Sequence, residues 1–215
     1  MNLIAFPDLD MQAYAGFRNE LRTGDLLFAS GQRAFSRMVQ QASQCCWDHV
    51  ALIWRLEPFD RLMVLESHEH HGVRVLPLSR FVRSYEGGTR GFEGRLAVAR
   101  HRRFAECASS DALRQMADYA WSALGQPASR ERSEVLIARV FSPALHLHCR
   151  PEAGELCWLS AEFVAGCYQC LGLHLQVDPQ EQPVTPAAFA QDPNLLWLCE
   201  LEVEQEWRGR GTTTD

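Results

Sequence analysis

The chain has 215 residues with a formal net charge of -6; 47% of its residues are hydrophobic and 22% charged. That length supports one full-sized core, that composition a folded rather than a disordered chain, and the acidic balance argues against a sequence-independent nucleic-acid binder. No apolar run approaches the roughly 20 residues that cross a bilayer, and residues 1–10 lack the basic start and apolar stretch of a secretory signal, so a cytoplasmic product that is not an integral membrane protein is expected.

Residues 1–22 read as a lead-in with some helix. Thr23-Gly24-Asp25 is a turn, and Leu26-Leu27-Phe28 starts a short strand. Ser30 to Gln44 shows helical spacing, with Phe35, Met38, Val39 and Ala42 on one face. A strand carrying His49 follows, with Trp47 and His49 expected on one side and Val50 and Leu52 on the other. After the turn Glu57-Pro58-Phe59-Asp60 comes a strand carrying Glu66. Gly72 to Leu76 alternates as a strand, and Pro77 opens a short helix through Arg83. Residues 84–94 form a glycine-rich loop, and Arg95 to Ala99 is another strand.

Ser110 is expected to cap a helix to about Leu124 that buries Leu113, Met116, Ala117, Ala120 and Trp121. A second amphipathic helix is expected at about 130–141, inside a segment, 126–156, that reads as an insertion. A helix from Ser160 to Leu171 stops at Gly172, and Leu173 to Val177 reads as a strand. Asp178 to Pro186 is a proline-punctuated loop, Leu195 to Val203 a final strand, and 208–215 a frayed tail. The order of elements predicts a single α+β domain over 1–215, with its core at about 22–203 and an antiparallel sheet or partial barrel packed against helices.

The eight cysteines (45, 46, 107, 149, 157, 167, 170 and 199) show no disulfide framework spacing and read as mostly reduced, buried thiols. Ser160 sits at a helix start, where free backbone N–H groups and the helix dipole activate a nucleophile and hold an oxyanion. The plainer reading makes Ser160 an N-cap. A lone strand histidine such as His49 serves as a base or as a hydrogen-bonded core residue. Glu66, among Met63, Val64 and Leu65, is costly to bury alone; orienting His49 or pairing with an arginine would satisfy it. His68-Glu69-His70-His71 and His146-x-His148-Cys149, with Cys157 nearby, are dense in metal-binding side chains. Neither has a standard four-ligand spacing, so no metal and no cofactor is expected, and the first cluster reads as a polar rim near the cleft, with His68 and His70 sharing one strand face.

Four segments in order resemble the permuted papain-like hydrolases of the NlpC type, in the YiiX/YebB-like branch. They are Gly24-Asp25-Leu26-Leu27-Phe28, Trp47-Asp48-His49-Val50-Ala51-Leu52, Val64-Leu65-Glu66-Ser67 with Gly72-Val73 beyond, and Ser160-Ala161-Glu162-Phe163-Val164. The resemblance spans roughly residues 22–177. It implies a circularly permuted papain fold, with His49 as base, Glu66 as its orienting partner and position 160 as the nucleophile.

Where the family pattern reads Cys-Ser-Glu-Phe/Leu-Val, this chain has Ser160-Ala161-Glu162-Phe163-Val164. An engineered exchange that freezes turnover, a natural serine variant and an inactive binder are the competing explanations; Cys157 is a second candidate nucleophile. The resemblance implies a cysteine-type hydrolase cleaving an amide bond, with peptidoglycan peptides as substrate. Without a signal peptide, such an enzyme suggests an antibacterial effector delivered by a secretion machine to the periplasm of a target cell and restrained by an immunity protein. The alternatives are a lipid esterase or acyltransferase acting on acyl-lipid substrate, and a catalytically dead binding module.

Overall fold

The computed structural model describes residues 4–128, 159–175 and 184–204. Its strands are β1 (Met11–Gln12), β2 (Leu26–Gly31), β3 (His49–Leu56), β4 (Arg61–His68), β5 (Gly72–Pro77), β6 (Gly94–His101) and β7 (Leu195–Leu201). Its α-helices are α1 (Tyr14–Phe17), α2 (Ala34–Ser43), α3 (Leu78–Arg83), α4 (Phe104–Cys107), α5 (Ser110–Ser122), α6 (Ser160–Gln169) and α7 (Pro186–Ala190). The strands form one open sheet in the order β1-β7-β6-β2-β3-β4-β5. Every pairing is antiparallel except the short β1–β7 contact. The α+β expectation holds, and the sheet is not closed into a barrel.

Both faces of the sheet are covered, which explains why its central strands read as near-continuous apolar runs. Alternate residues part between two clusters. Leu26, Phe28, Val50, Leu52 and Leu65 pack with α5, α6 and α7 on one face. Leu27, Ala29, Ala51, Ile53 and Val64 pack with Leu78 and Phe81 of α3 on the other. Trp47 lies in the same cluster as Val50 and Leu52, contrary to the alternation expected from Trp47. The strand begins only at His49, so a period of two does not extend back through residue 47.

Helix α6 is the buried centre of the molecule: Ala161, Phe163, Val164, Cys167 and Tyr168 have almost no exposed surface. Its Gly166 is mid-helix, where glycine costs about 1 kcal/mol relative to alanine. Tyr119 of α5 explains it, because a Cβ at 166 would lie 2.0 Å from the Tyr119 hydroxyl oxygen. Two residues on, Tyr168 donates its hydroxyl to the Gly24 carbonyl at 2.8 Å. Gly24 has φ +92, and a side chain there would meet the Phe104 ring. The Thr23-Gly24-Asp25 turn is thus pinned between α6 and α4.

Several expected boundaries move. Ser30 and Gly31 belong to β2, not to the following helix, because they pair with Arg95 and Gly94 of β6. The cap of α5 is Ser109, whose hydroxyl accepts the Ala112 N–H at 3.2 Å. On α5, Met116 and Ala120 are buried, but Trp121 is 42% exposed, its ring tilted against that of Trp54 with centroids 6.1 Å apart. Leu173–Leu175 are irregular rather than strand, and α7, opened by Pro186 in its first turn, replaces the end of an expected loop. The helix expected at 130–141, most of the insertion at 126–156 and the tail at 208–215 lie outside the described residues.

Candidate active site

Strands β3 and β4 pair only from Leu52–Leu65 to Leu56–Arg61. Beyond that point β3 stays with β2, where His49 opposes Ala29, while β4 stays with β5. The sheet therefore opens, and the opening admits the side chains of His49 and Glu66. His49 Nε2 lies 2.7 Å from Glu66 Oε2. The other oxygen, Oε1, accepts Arg74 Nε at 2.7 Å. Arg74 stands directly opposite Glu66 across the β4–β5 ladder. The two readings of Glu66 from sequence, partner to a histidine and partner to an arginine, are both realised, one on each oxygen.

Glu66 has no exposed surface, whereas the His49 and Arg74 side chains keep 17% and 21%. Burial alone would raise the Glu66 pKa, but the bond and charge of His49, with the charge of Arg74, outweigh it and bring it to about 2. Burial alone would lower His49; the bond to ionised Glu66 and its charge outweigh that and raise its pKa. An ionised carboxylate can only accept, so in the neutral ring Nε2 carries the proton and Nδ1 keeps the lone pair. His68, two residues beyond Glu66, moves the other way: burial pushes it down to about 4, against the charge of Glu66 and helped by Arg74 and His49. The bond to Glu66 outweighs burial at His49, whereas at His68 burial outweighs the Glu86 carboxylate 3.2 Å away.

His49 is held from behind by its neighbour. Asp48 Oδ1 accepts the Gly31 N–H at 2.6 Å and Gln40 Nε2 at 3.1 Å, tying the start of β3 to β2 and α2.

Ser160 and His49 line one cleft, together with the polar residues Arg33, Asp48, Ser67, His68 and Glu69. Phe35, Val39, Val184 and Pro186 are among its apolar lining residues. Ser160 is the first residue of α6, not its cap. The N-cap is Leu159, whose N–H is accepted by Glu162 Oε2 at 3.2 Å. The Ser160 hydroxyl is therefore not spent on capping. Among the described residues it makes no hydrogen bond, including to His49. Ser160 and Ala161 head the helix, so their amides have no carbonyl one turn back within it.

The structure thus brings Ser160 and His49 to one cleft, with Glu66 buried behind His49, and adds three residues to them. Arg74 was within reach of sequence reasoning. A three-residue turn at 69–71 between the strands sets a register in which Arg74 faces Glu66. The roles of Asp48 and Glu162 carried no signal beyond adjacency to His49 and Ser160. The cluster at 68–71 forms part of the rim, but not as a strand: β4 ends at His68, and 69–71 turn back into β5. His146, His148, Cys149 and Cys157 lie outside the described residues. The other six cysteines are free thiols, and none lines the cleft.

The sequence profile of a family described as "permuted papain-like amidase enzyme, YaeF/YiiX, C92 family" matches residues 20–129. The chain belongs to this family. The matched half contains β2 to β6, and so His49, Glu66 and Arg74; Ser160 lies beyond it. A solved structure, "metalloprotein yiiX" from Escherichia coli O157:H7, is similar with a TM-score of 0.55 at 18% identity, over 87% of this chain and 98% of that one. At that identity the likeness supports the fold alone and not the chemistry. No curated protein matches the chain. Together these findings make the protein a papain-like hydrolase with a permuted order of elements.

Proposed function

We propose that this chain is a cysteine-type amide hydrolase whose nucleophile position is occupied by Ser160, with His49 as base and Glu66 as its orienting partner. The observation that carries the proposal is the fully buried Glu66, which fixes Nε2 of His49 and leaves Nδ1 as the basic nitrogen in a cleft shared with the head of α6. His49 Nδ1 takes the proton from the side chain at 160, which attacks the carbonyl carbon. The amides of Ser160 and Ala161 face the developing oxyanion, where such donors are worth about 3–4 kcal/mol each. His49 then protonates the leaving amine, and water, deprotonated by the same ring, releases the acyl group. A serine hydroxyl gives up its proton far less readily than a thiol, so this chain is expected to turn over slowly as it stands.

Peptidoglycan stem peptides are the proposed substrate, and an effector role in a neighbouring cell, with an immunity protein as partner, is proposed with it. The apolar lining residues Phe35, Val39, Val184 and Pro186 support a second reading, an esterase or acyltransferase taking acyl lipids. The missing Ser160–His49 hydrogen bond supports a third, a binding module without turnover. Incubating the Ser160→Cys protein with purified peptidoglycan and with phospholipid vesicles separates them. New amino termini from peptidoglycan support the amidase. Released acyl chains support the lipid enzyme. Binding without either product, in a folded protein, supports the module.

A further inference from the structure

A second group of ligating side chains lies at the rim of the cleft, outside the His49–Glu66–Arg74 cluster. His68 ends β4, His71 closes the turn into β5, and Glu86 lies in the short helical turn 85–87. The three residues each offer one ligand atom, and these atoms all lie within 4.8 Å of one another. His68 Nε2 and Glu86 Oε1 are 3.2 Å apart. Two ligands of a tetrahedral zinc ion, each bound at about 2.0–2.1 Å, are separated by about 3.3 Å. One edge of a zinc coordination shell is therefore already spaced as the ion requires. The third corner needs His71 to approach by about 1.5 Å, and His71 is exposed on a three-residue turn.

We propose that His68, His71 and Glu86 form a binding site for a zinc-class divalent cation. Two imidazoles and one carboxylate make a donor set that favours zinc or cobalt over magnesium or calcium, which take oxygen. Three protein ligands leave a fourth position for water or an incoming ligand. The ion ties the turn at 69–71 to the turn at 85–87. His68, Glu69 and Tyr85 line the cleft, so the ion braces one wall of it.

Two existing contacts must be accounted for. Glu86 Oε2 is held by Arg33 at 3.2 Å, which leaves Oε1 for the ion. His68 Nδ1 accepts the His70 N–H at 3.2 Å. Binding through Nε2 moves the ring proton to Nδ1, so this amide bond is given up and the adjustment falls on the exposed turn. His70 is the internal control: its ring pairs with Glu69 at 3.2 Å and is not among the three.

The test uses the full chain, stripped with chelator and titrated with zinc by calorimetry, and with cobalt(II) by visible absorption. One zinc per chain is expected, with a d–d band characteristic of four-coordinate cobalt. At a hundredfold excess over Kd the melting temperature should rise by about 5–10 °C. His71→Ala and Glu86→Gln should each weaken binding at least about tenfold and reduce the thermal shift, while His70→Ala should not. Absence of binding by the parent chain overturns the proposal. So does unchanged affinity in His71→Ala and Glu86→Gln, wherever the ion is then held, or an equal loss in His70→Ala. None of these readouts depends on hydrolysis, so the site stands or falls apart from the amidase reading.

Discussion

Exchanging Glu66 for glutamine removes one charge and almost no volume from the point where β3 and β4 separate. The carboxylate has no exposed surface and two partners at 2.7 Å. Held at about 2 instead of the ordinary 4.5, it contributes about 3 kcal/mol at neutral pH. Removing one member of a fully buried pair costs about 3–5 kcal/mol. Here Arg74 and His49 keep part of their surface in water and can partly resolvate, so Glu66→Gln should cost about 2–3 kcal/mol at pH 6.

The dependence on pH separates this cause from simple misfit. A carboxylate with a depressed pKa adds stability that is complete above about 4.5 and is lost as the pH falls through about 2. A histidine with a raised pKa adds stability that is complete below about 6.5 and is lost as the pH rises through its folded value. The difference between parent and variant should therefore be largest between about pH 4.5 and 6.5. It should shrink on the acid side, and shrink only in part on the basic side, where Arg74 stays charged. Urea unfolding of both proteins across pH 3–8 reads it. A difference below about 0.5 kcal/mol at pH 6, or one that grows as the pH falls below 4.5, would refute the reasoning.

Gly166→Val forces the Tyr119 ring off α6 and should cost about 1–3 kcal/mol in denaturant unfolding; a neutral result would mean that the α5–α6 contact is not close-packed. Asp48→Ala leaves the Gly31 N–H and the Gln40 amide without their shared acceptor. It should cost about 1–2 kcal/mol and, in a Ser160→Cys background, lower kcat by about tenfold with little change in KM. Unchanged turnover would show that Asp48 does not position His49.

Much of the architecture was legible because the buried strands are built on apolar runs of four or five residues separated by turn residues. What failed did so for identifiable reasons. Ser30 and Gly31 carried helical spacing, but the ladder with β6 claimed them, and tertiary pairing outweighs local periodicity. The alternation drawn back to Trp47 assumed a strand that begins two residues too early. For the site, the type of each residue was informative, since a buried glutamate needs partners. The number of partners was not, because two cations sharing one carboxylate depends on the register of β5. Ser160 was legible as the head of a helix. That Leu159 rather than Ser160 sits at the cap depends on Glu162 reaching back, which spacing alone does not distinguish from serine capping itself.

The central claim is that His49 activates the side chain at position 160. Its most direct test is the pH dependence of alkylation at that position in Ser160→Cys, read peptide by peptide with iodoacetamide and mass spectrometry. The thiol is expected to titrate well below the ordinary value of about 8.5 and to return towards it in Ser160→Cys with His49→Ala. An ordinary titration, or a depressed one that His49→Ala leaves unchanged, would contradict it.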